Sequence, residues 1–273
     1  MGAELRRLRE RAGLTGDEVG EHLECHGSKI SRIETGRSGV RRRDLRDMLD
    51  LYGVADEAER AALLSLARDS RKKGWWHTYG KVISDRYTDF IGLENDAASV
   101  RAYESQLIHG LLQTESYARA VVSYAPGRET AGEIEAYVAV RMARQKRLTE
   151  SESFHLWVVL GESAIRQRVG GPQVMREQLE HLSETAQLSN VTVQVLPFAA
   201  GAHAGMDGPF IILAFPELAS PDVVYVDNLT SGLYVEEDEE VKWYNLAFDH
   251  LRAAALSPKD SVEVIGRVAE EMQ

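Results

Sequence analysis

Between Val19 and Gly36 the chain reads VGEHLECHGSKISRIETG. Val19, Gly20, Leu23, Ile30 and Ile33 fall where two short helices joined by a corner must bury their contact. Gly20 is small enough to stand where the helices cross. The corner is Glu24-Cys25-His26-Gly27. Just upstream, Thr15 and Glu18 spell a capping box for the first of the two helices. On the second, Ser28, Lys29, Ser31 and Arg32 are left exposed, with Thr35 at its end. Hydroxyl and cationic side chains of this length suit a DNA major groove. Arg32 can fork onto a guanine edge, and the serines can reach bases or phosphates.

The flanks extend this pattern. Leu5, Leu8 and Ala12 recur at helical spacing and Gly13 stops that helix; Gly36 ends the third. Leu45, Met48, Leu49 and Tyr52 line a fourth helix stopped by Gly53, and Ala58 to Arg68 makes a fifth. Arg37 and the run Arg41-Arg42-Arg43 follow the exposed helix, placed to meet the phosphate backbone. The run Ile30-Ser31-Arg32-Ile33-Glu34-Thr35-Gly36, with Leu14-Thr15, resembles the XRE (lambda-repressor-like) helix-turn-helix family. That resemblance implies a five-helix DNA-binding domain over residues 1–68 whose third helix enters the groove. The sequence departs from the family at Glu24, where a turn glycine is usual, and at His26, where serine or threonine usually caps the third helix. It departs again at Gly16, where many relatives carry a polar residue that touches DNA.

The chain has 273 residues, 44% hydrophobic and 27% charged, with a net charge of -11. These are ordinary globular values and exclude a mostly disordered chain. The charge is uneven: residues 1–73 hold 16 Lys+Arg and 14 Asp+Glu, a net of +2, leaving 16 and 29, a net of -13, for the rest. A weakly cationic head binds DNA weakly as one copy. Tight binding therefore predicts a homodimer reading half-sites about 34 Å apart on a double-stranded operator. No apolar run approaches the roughly 18 residues of a membrane span. The early charges at Glu4, Arg6 and Arg7 argue against a secretory signal, and the lone Cys25 fits a reducing cytoplasm.

Residues 69–84 read as a linker, with Trp75 and Trp76 docking it onto the following segment. Over 85–273 the pattern predicts three helices and then a mixed region. The first helix carries Tyr87, Phe90, Ile91, Glu94, Ala97 and Ala98. The second begins at Thr114, and the third opens with a Thr130–Glu133 capping box. Glu94 and Arg141 lie on apolar stripes, so Glu94 should pair with Arg141 or Arg144, as a buried ion pair or an effector contact. Strands are expected at 154–160, at 191–195 (half-buried, by its alternation), at 210–215, at 223–226 and at 233–235. Helices are expected at 162–169 and after the Gly170-Gly171-Pro172 break, and two more close the chain. The fold class is α+β: an all-α five-helix head, then a helical segment and a small mixed sheet covered by helices.

The strings His109-Gly110-Leu111-Leu112-Gln113-Thr114, Tyr117-Ala118-Arg119-Ala120 and Arg141-Met142-Ala143-Arg144-Gln145 resemble the C-terminal domain of actinobacterial WhiJ-like, or Scr1-type antitoxin-like, regulators. Many relatives carry proline where His109 stands. The resemblance implies a transcriptional regulator controlled by a small BldB-like partner protein.

Signs of catalysis are thin. Gly161-Glu162-Ser163-Ala164 lacks the second glycine of a nucleophile elbow. Gly201-Ala202-His203-Ala204-Gly205 lacks the Lys-Ser/Thr end of a phosphate loop. His22, Cys25 and His26 lack a fourth metal ligand, and His77, His155 and His203 are scattered. The acidic run Glu236–Glu240 suits a helix N-terminus, or a surface that attracts a basic partner. No enzyme activity, metal or cofactor is expected. Two rivals remain: a small-molecule-sensing repressor with an effector pocket formed by the 201–208 loop and the Glu94/Arg141 region, and a DNA-tethered enzyme domain whose turnover would depend on Ser163 or His203.

Overall fold

The computed structural model describes residues 2–34, 40–69, 74–79, 82–126, 130–151, 153–216 and 222–272. Contacts divide them into two compact units, the break falling between Trp75 and Trp76.

The first unit is all-helical: α1 (Gly2–Arg11), α2 (Gly16–His22), α3 (Gly27–Glu34), α4 (Arg42–Leu51) and α5 (Glu57–Asp69). Leu5, Leu8, Val19, Ile30, Ile33, Leu45, Met48, Leu49 and Leu63 are fully or almost fully buried in one core. Ala12 does not belong to it. It lies beyond the end of α1 and is exposed, because the chain leaves the helix before Gly13. The Thr15–Glu18 capping box forms as expected, with the Glu18 N–H donating to Thr15 Oγ1 at 3.2 Å and the Thr15 N–H to Glu18 Oε2 at 2.7 Å.

The corner explains how this sequence manages without two residues usual in its relatives. Glu24 takes the left-handed conformation that a turn glycine would supply, with φ at 51°. This costs a non-glycine residue about 1–2 kcal/mol. His26 replaces the hydroxyl cap: its Nδ1 accepts the Ser28 N–H at 3.2 Å, satisfying one of the unpaired donors of the first turn of α3. At Gly20, a Cβ would lie 2.8 Å from the Cys25 carbonyl oxygen and 2.9 Å from the Gly27 nitrogen. No side chain fits there.

A second tie fixes α3. Arg9 of α1 grips Glu34 through Nε (2.7 Å) and Nη2 (3.0 Å), and its Nη1 donates to the Leu14 carbonyl at 2.7 Å. The two side chains are only 13% and 7% exposed. Removing one partner of so enclosed a pair costs about 3–5 kcal/mol.

The second unit is α+β. In chain order it holds α6 (Asp85–Asp96), β1 (Ser99–Glu104), α7 (Glu115–Ser123), α8 (Ala131–Gln145), α9 (Arg147–Glu150), β2 (His155–Gly161), α10 (Glu162–Arg166), α11 (Pro172–Thr185), β3 (Val191–Leu196), β4 (Phe210–Ala214), β5 (Val223–Asp227), β6 (Gly232–Val235), α12 (Asp238–Ala254) and α13 (Pro258–Glu271). Single-turn 3-10 segments stand at Gly110–Leu112 and Phe198–Ala200, and a longer one at Trp75–Tyr79. Trp76 is buried with Ile91, Tyr137 and Val138, while Trp75 is 37% exposed. The six strands form one mixed sheet in the order β3-β2-β1-β4-β5-β6, parallel across β3, β2 and β1 and antiparallel from β1 to β6. One face is covered by α6, α7, α11 and α13, the other by α12. Gly170 and Gly171 both have positive φ, which lets the chain turn into α11 with Pro172 at its first position.

Two expectations need correction. Ala97 and Ala98 are not helical: α6 ends at Asp96, and the Ala98 N–H donates to the Ala214 carbonyl at 2.7 Å, opening β1. That strand is short and interrupted by Arg101 and Glu104, yet it lies at the middle of the sheet. Arg101 is paired with Asp222 at 3.2 Å. Likewise β3 is not half-buried: five of its six residues are buried. Gln194 tolerates this because its Oε1 accepts the Trp157 Nε1–H at 2.8 Å while its Nε2 donates to the Arg252 and Leu256 carbonyls.

The corner geometry predicts opposite effects for two substitutions. Gly20→Ala should lower the opening free energy of α2 and α3 by about 1–3 kcal/mol through overpacking, and Glu24→Gly should raise it by about 1 kcal/mol by relieving the left-handed strain. Amide hydrogen exchange over residues 16–34 measures both. Unchanged exchange in Gly20→Ala would contradict the close crossing.

Candidate functional site

In the first unit, α3 has two unlike faces. Ile30 and Ile33 point into the core, while Ser28, Ser31 and Arg32 are exposed. Lys29 is half-exposed, and its Nζ is held by Asp44 Oδ2 of α4 at 2.9 Å, so it meets a phosphate only by exchanging that partner. Arg41, Arg42 and Arg43 are exposed at the start of α4; Arg43 sits 3.9 Å from Asp47, a loose pair at 92% exposure of the arginine. Arg41 is the N-cap of α4 and offers no side-chain cap. The positive end of that helix's dipole therefore lies beside three arginines. Arg46, exposed and one turn beyond Arg42, extends the same basic strip. The sequence reading passed over it, although the i to i+4 spacing from Arg42 marks it. Thr35 and Arg37 lie outside the described residues.

In the second unit, the carboxylate on α6 has chosen its partner. Glu94 takes Arg144 in a two-pronged pair, Nε to Oε1 at 2.7 Å and Nη2 to Oε2 at 2.5 Å, with both side chains 5% exposed or less. Arg144 Nη1 also donates to the Tyr87 hydroxyl at 2.7 Å. Burial alone would raise the Tyr87 pKa, but the charges of Arg144 and Arg141 outweigh it and hold the phenol below its ordinary value. Arg141 instead donates to Gln113 Oε1 at 2.8 Å. Arg147 caps the end of α6 by donating to the Glu94 and Ala97 carbonyls.

These bonds bring two of the motif strings together. Gln145 Nε2 donates to the Gly110 and Gln113 carbonyls, Gln113 Nε2 to the Ile108 carbonyl, and Gln178 to the Leu112 carbonyl. The Tyr117 hydroxyl accepts the Ile108 N–H at 3.1 Å. So the 108–114 loop is stapled to α7, α8 and α11 by side-chain amides and one phenol. Between this loop, β1, β4, β5 and α6 lies a cavity of about 180 Å³ lined by Tyr87, Phe90, Glu104, His109, Arg141, Phe210, Tyr225 and Asp227 among others. Glu94 is not among the lining residues, and the 201–208 loop borders a different cavity of about 230 Å³ with Phe210, Trp243 and Tyr244. Thus the effector pocket expected from the loop plus the Glu94/Arg141 region is split in two.

Two titratable groups of the first cavity are strongly shifted. Glu104 is half-buried by area, but its carboxyl is enclosed by protein; desolvation pushes it up to about 8, against the pull of Arg141 and with the help of Asp227. His109 is buried, and desolvation drops it to about 4. The residues of the rival readings are placed less suggestively. The Ser163 hydroxyl donates to the Ser105 carbonyl in the first turn of α10, and His203 Nδ1 accepts the Gly205 N–H at 3.1 Å. Among the described residues no three His, Cys, Asp or Glu side chains are grouped to hold a metal, and no helix is long and apolar enough to cross a membrane. Asp238, Glu239 and Glu240 form the exposed first turn of α12.

A corner-joined helix pair that buries one face of α3 and exposes donors on the other defines a DNA-binding regulator of the helix-turn-helix class. Comparison with known families agrees: residues 1–63 match a helix-turn-helix domain. Residues 87–267, well over half the chain, match the family described as Domain of unknown function (DUF5753), and the chain belongs to that family. No curated protein and no solved structure matches the chain.

The shifted pair predicts a pH signature. Folded Glu104 holds a proton that the unfolded chain releases near 4.5, so its contribution is full below that pH and is lost as pH rises through about 8. His109 acts oppositely: the unfolded chain takes up a proton below 6.5 that the folded chain refuses until about 4, so stability falls on acidification across that window. Between pH 6.5 and 8 only Glu104 of the two acts, for about 2 kcal/mol. Urea unfolding followed by tryptophan fluorescence should show this decline in the native chain, and Glu104→Gln should flatten it. An identical decline in both would contradict the assignment.

Proposed function

We propose that the chain is a transcriptional regulator that binds a double-stranded DNA operator sequence-specifically. The domain of residues 1–68 does the binding. Segment 69–84 joins it to a regulatory body, residues 85–273, and the protein works in the cytoplasm without catalysis. Ser28, Lys29, Ser31, Arg32 and Thr35 face bases or their flanking phosphates, and Arg37, Arg41, Arg42 and Arg43 hold the backbone. The observation that carries this reading is the face of α3 on which Ser28, Ser31 and Arg32 stand exposed over a fully apolar core.

The weak positive charge of the head supports a homodimer, since two heads add their phosphate contacts. The resemblance to WhiJ-like and Scr1-type regulators supports antitoxin-like control of the body by a small BldB-like partner. The exposed acidic turn at the start of α12 offers such a partner a basic-binding surface. The product of a neighbouring reading frame should then co-purify with this chain and shift its DNA affinity; absence of both effects would dismiss partner control.

Titration of operator and random duplexes tests the DNA reading. Arg32→Ala should cost about 1–3 kcal/mol on the operator and relax preference at one base position. Arg41→Ala should weaken both duplexes alike and lower the salt slope by about one. Equal losses on both duplexes for Arg32→Ala would remove base reading by that residue.

A further inference from the structure

The cavity beside the 108–114 loop contains polar groups that are unequally committed. Arg144 is spent on Glu94 and the Tyr87 hydroxyl. Gln113 is spent on Arg141 and the Ile108 carbonyl. His109 Nδ1 accepts the Leu111 N–H, leaving the ring neutral with its proton on Nε2. What remains is one cation and one carboxyl. Arg141 donates to Gln113 and also borders the Tyr87 hydroxyl, but among the described residues its buried Nε–H has no acceptor. Glu104 has no cation within ion-pair distance among the described residues; Asp227 is on the same lining but already accepts the Tyr225 hydroxyl and lies 3.6 Å from Arg86. The walls between them are aromatic and aliphatic: Phe90, Ile108, Phe210 and Tyr225.

This inventory selects a ligand by charge. One guanidinium without a carboxylate partner, and with a donor to spare, matches a monocarboxylate; a phosphate dianion would call for the second arginine, which is already neutralised. The carboxyl groups and the ring faces opposite call for an ammonium. The volume admits a small molecule only. We propose that this cavity binds a small zwitterion of the amino-acid type, its carboxylate on Arg141, its ammonium at Glu104 and an apolar side chain against Phe90 and Tyr225.

The site lies wholly within the body, and its occupancy is measured without DNA, so it stands or falls separately from the operator reading. Around Glu104 stand Arg141 of α8, Asp227 and Tyr225 of β5, Tyr117 of α7, Tyr87 of α6 and His109 of the loop, besides the neutralised Arg144. With the cavity empty, Glu104 is largely protonated at pH 7. An ammonium seated beside it favours the carboxylate, so binding releases a proton and tightens as pH rises toward 8.

Calorimetric titration of the full chain at pH 7, in phosphate and in Tris, tests this with L-phenylalanine, L-leucine, phenethylamine and 3-phenylpropanoate. The two amino acids should bind with proton release, and the amine and the acid at least about tenfold more weakly. Glu104→Gln should abolish the proton release and the preference over the acid. Arg141→Lys, which keeps the charge but loses the fork, should erode the preference over the amine; Glu104→Gln replaces a largely neutral carboxyl by a neutral amide of the same shape and keeps the proposal testable if Arg141→Lys does not fold. No heat from either amino acid at millimolar concentration, or 3-phenylpropanoate binding as tightly as phenylalanine, would overturn the proposal.

Discussion

The helix crossing at Gly20 is the constraint on which the first unit depends. With backbone atoms of Cys25 and Gly27 at the place a side chain would occupy, α2 and α3 can meet only at this closeness. That contact fixes which face of α3 is buried. Ile30 and Ile33 turn inward and the serines and Arg32 turn outward as a direct result. The Arg9–Glu34 pair then anchors the far end of α3 to α1. A rigid core thereby presents a short polar helix, which is the mechanical requirement for reading a groove.

The body rests on a different device. A buried carboxylate–guanidinium pair, Glu94 with Arg144, joins α6 to α8, and side-chain amides staple the 108–114 loop across it. Such a pair is poor evidence of stability, because desolvation offsets its attraction. Its consequence is geometric: it commits Arg144 and leaves Arg141 as the cation with donors to spare. Two of the three strings that mark this half of the chain, His109–Thr114 and Arg141–Gln145, therefore touch each other and wall a single cavity.

The head was legible because its signals are local. Capping box, glycine stop and apolar spacing act within a few residues, and the departures at Glu24 and His26 are absorbed by one left-handed residue and one imidazole cap. The body was legible only in part. Apolar runs gave five of its strands, but β1 was hidden: its Arg101 and Glu104 break the pattern, and its stability comes from pairing with β2 and β4, more than fifty residues away in the chain. The same distance concealed Glu104. Nothing in its neighbours Tyr103 and Ser105 announces that β5 and α8 will close around it. Arg141 and Arg144 stand three residues apart, nearly one helical turn, so both fall on the same face and periodicity alone leaves the choice of partner for Glu94 open.

The central claim is that the outward face of α3 meets the base edges of duplex DNA. Site-specific photo-crosslinking tests it most directly, with a photoreactive side chain placed at Ser28 of the full chain and, for comparison, at an exposed position of α12 such as Lys242. Ultraviolet irradiation in the presence of enriched genomic fragments should join the Ser28 probe to bases at a defined position and leave the Lys242 probe unattached. Crosslinks from α12 with none from α3, or α3 crosslinks spread evenly along any duplex, would contradict it.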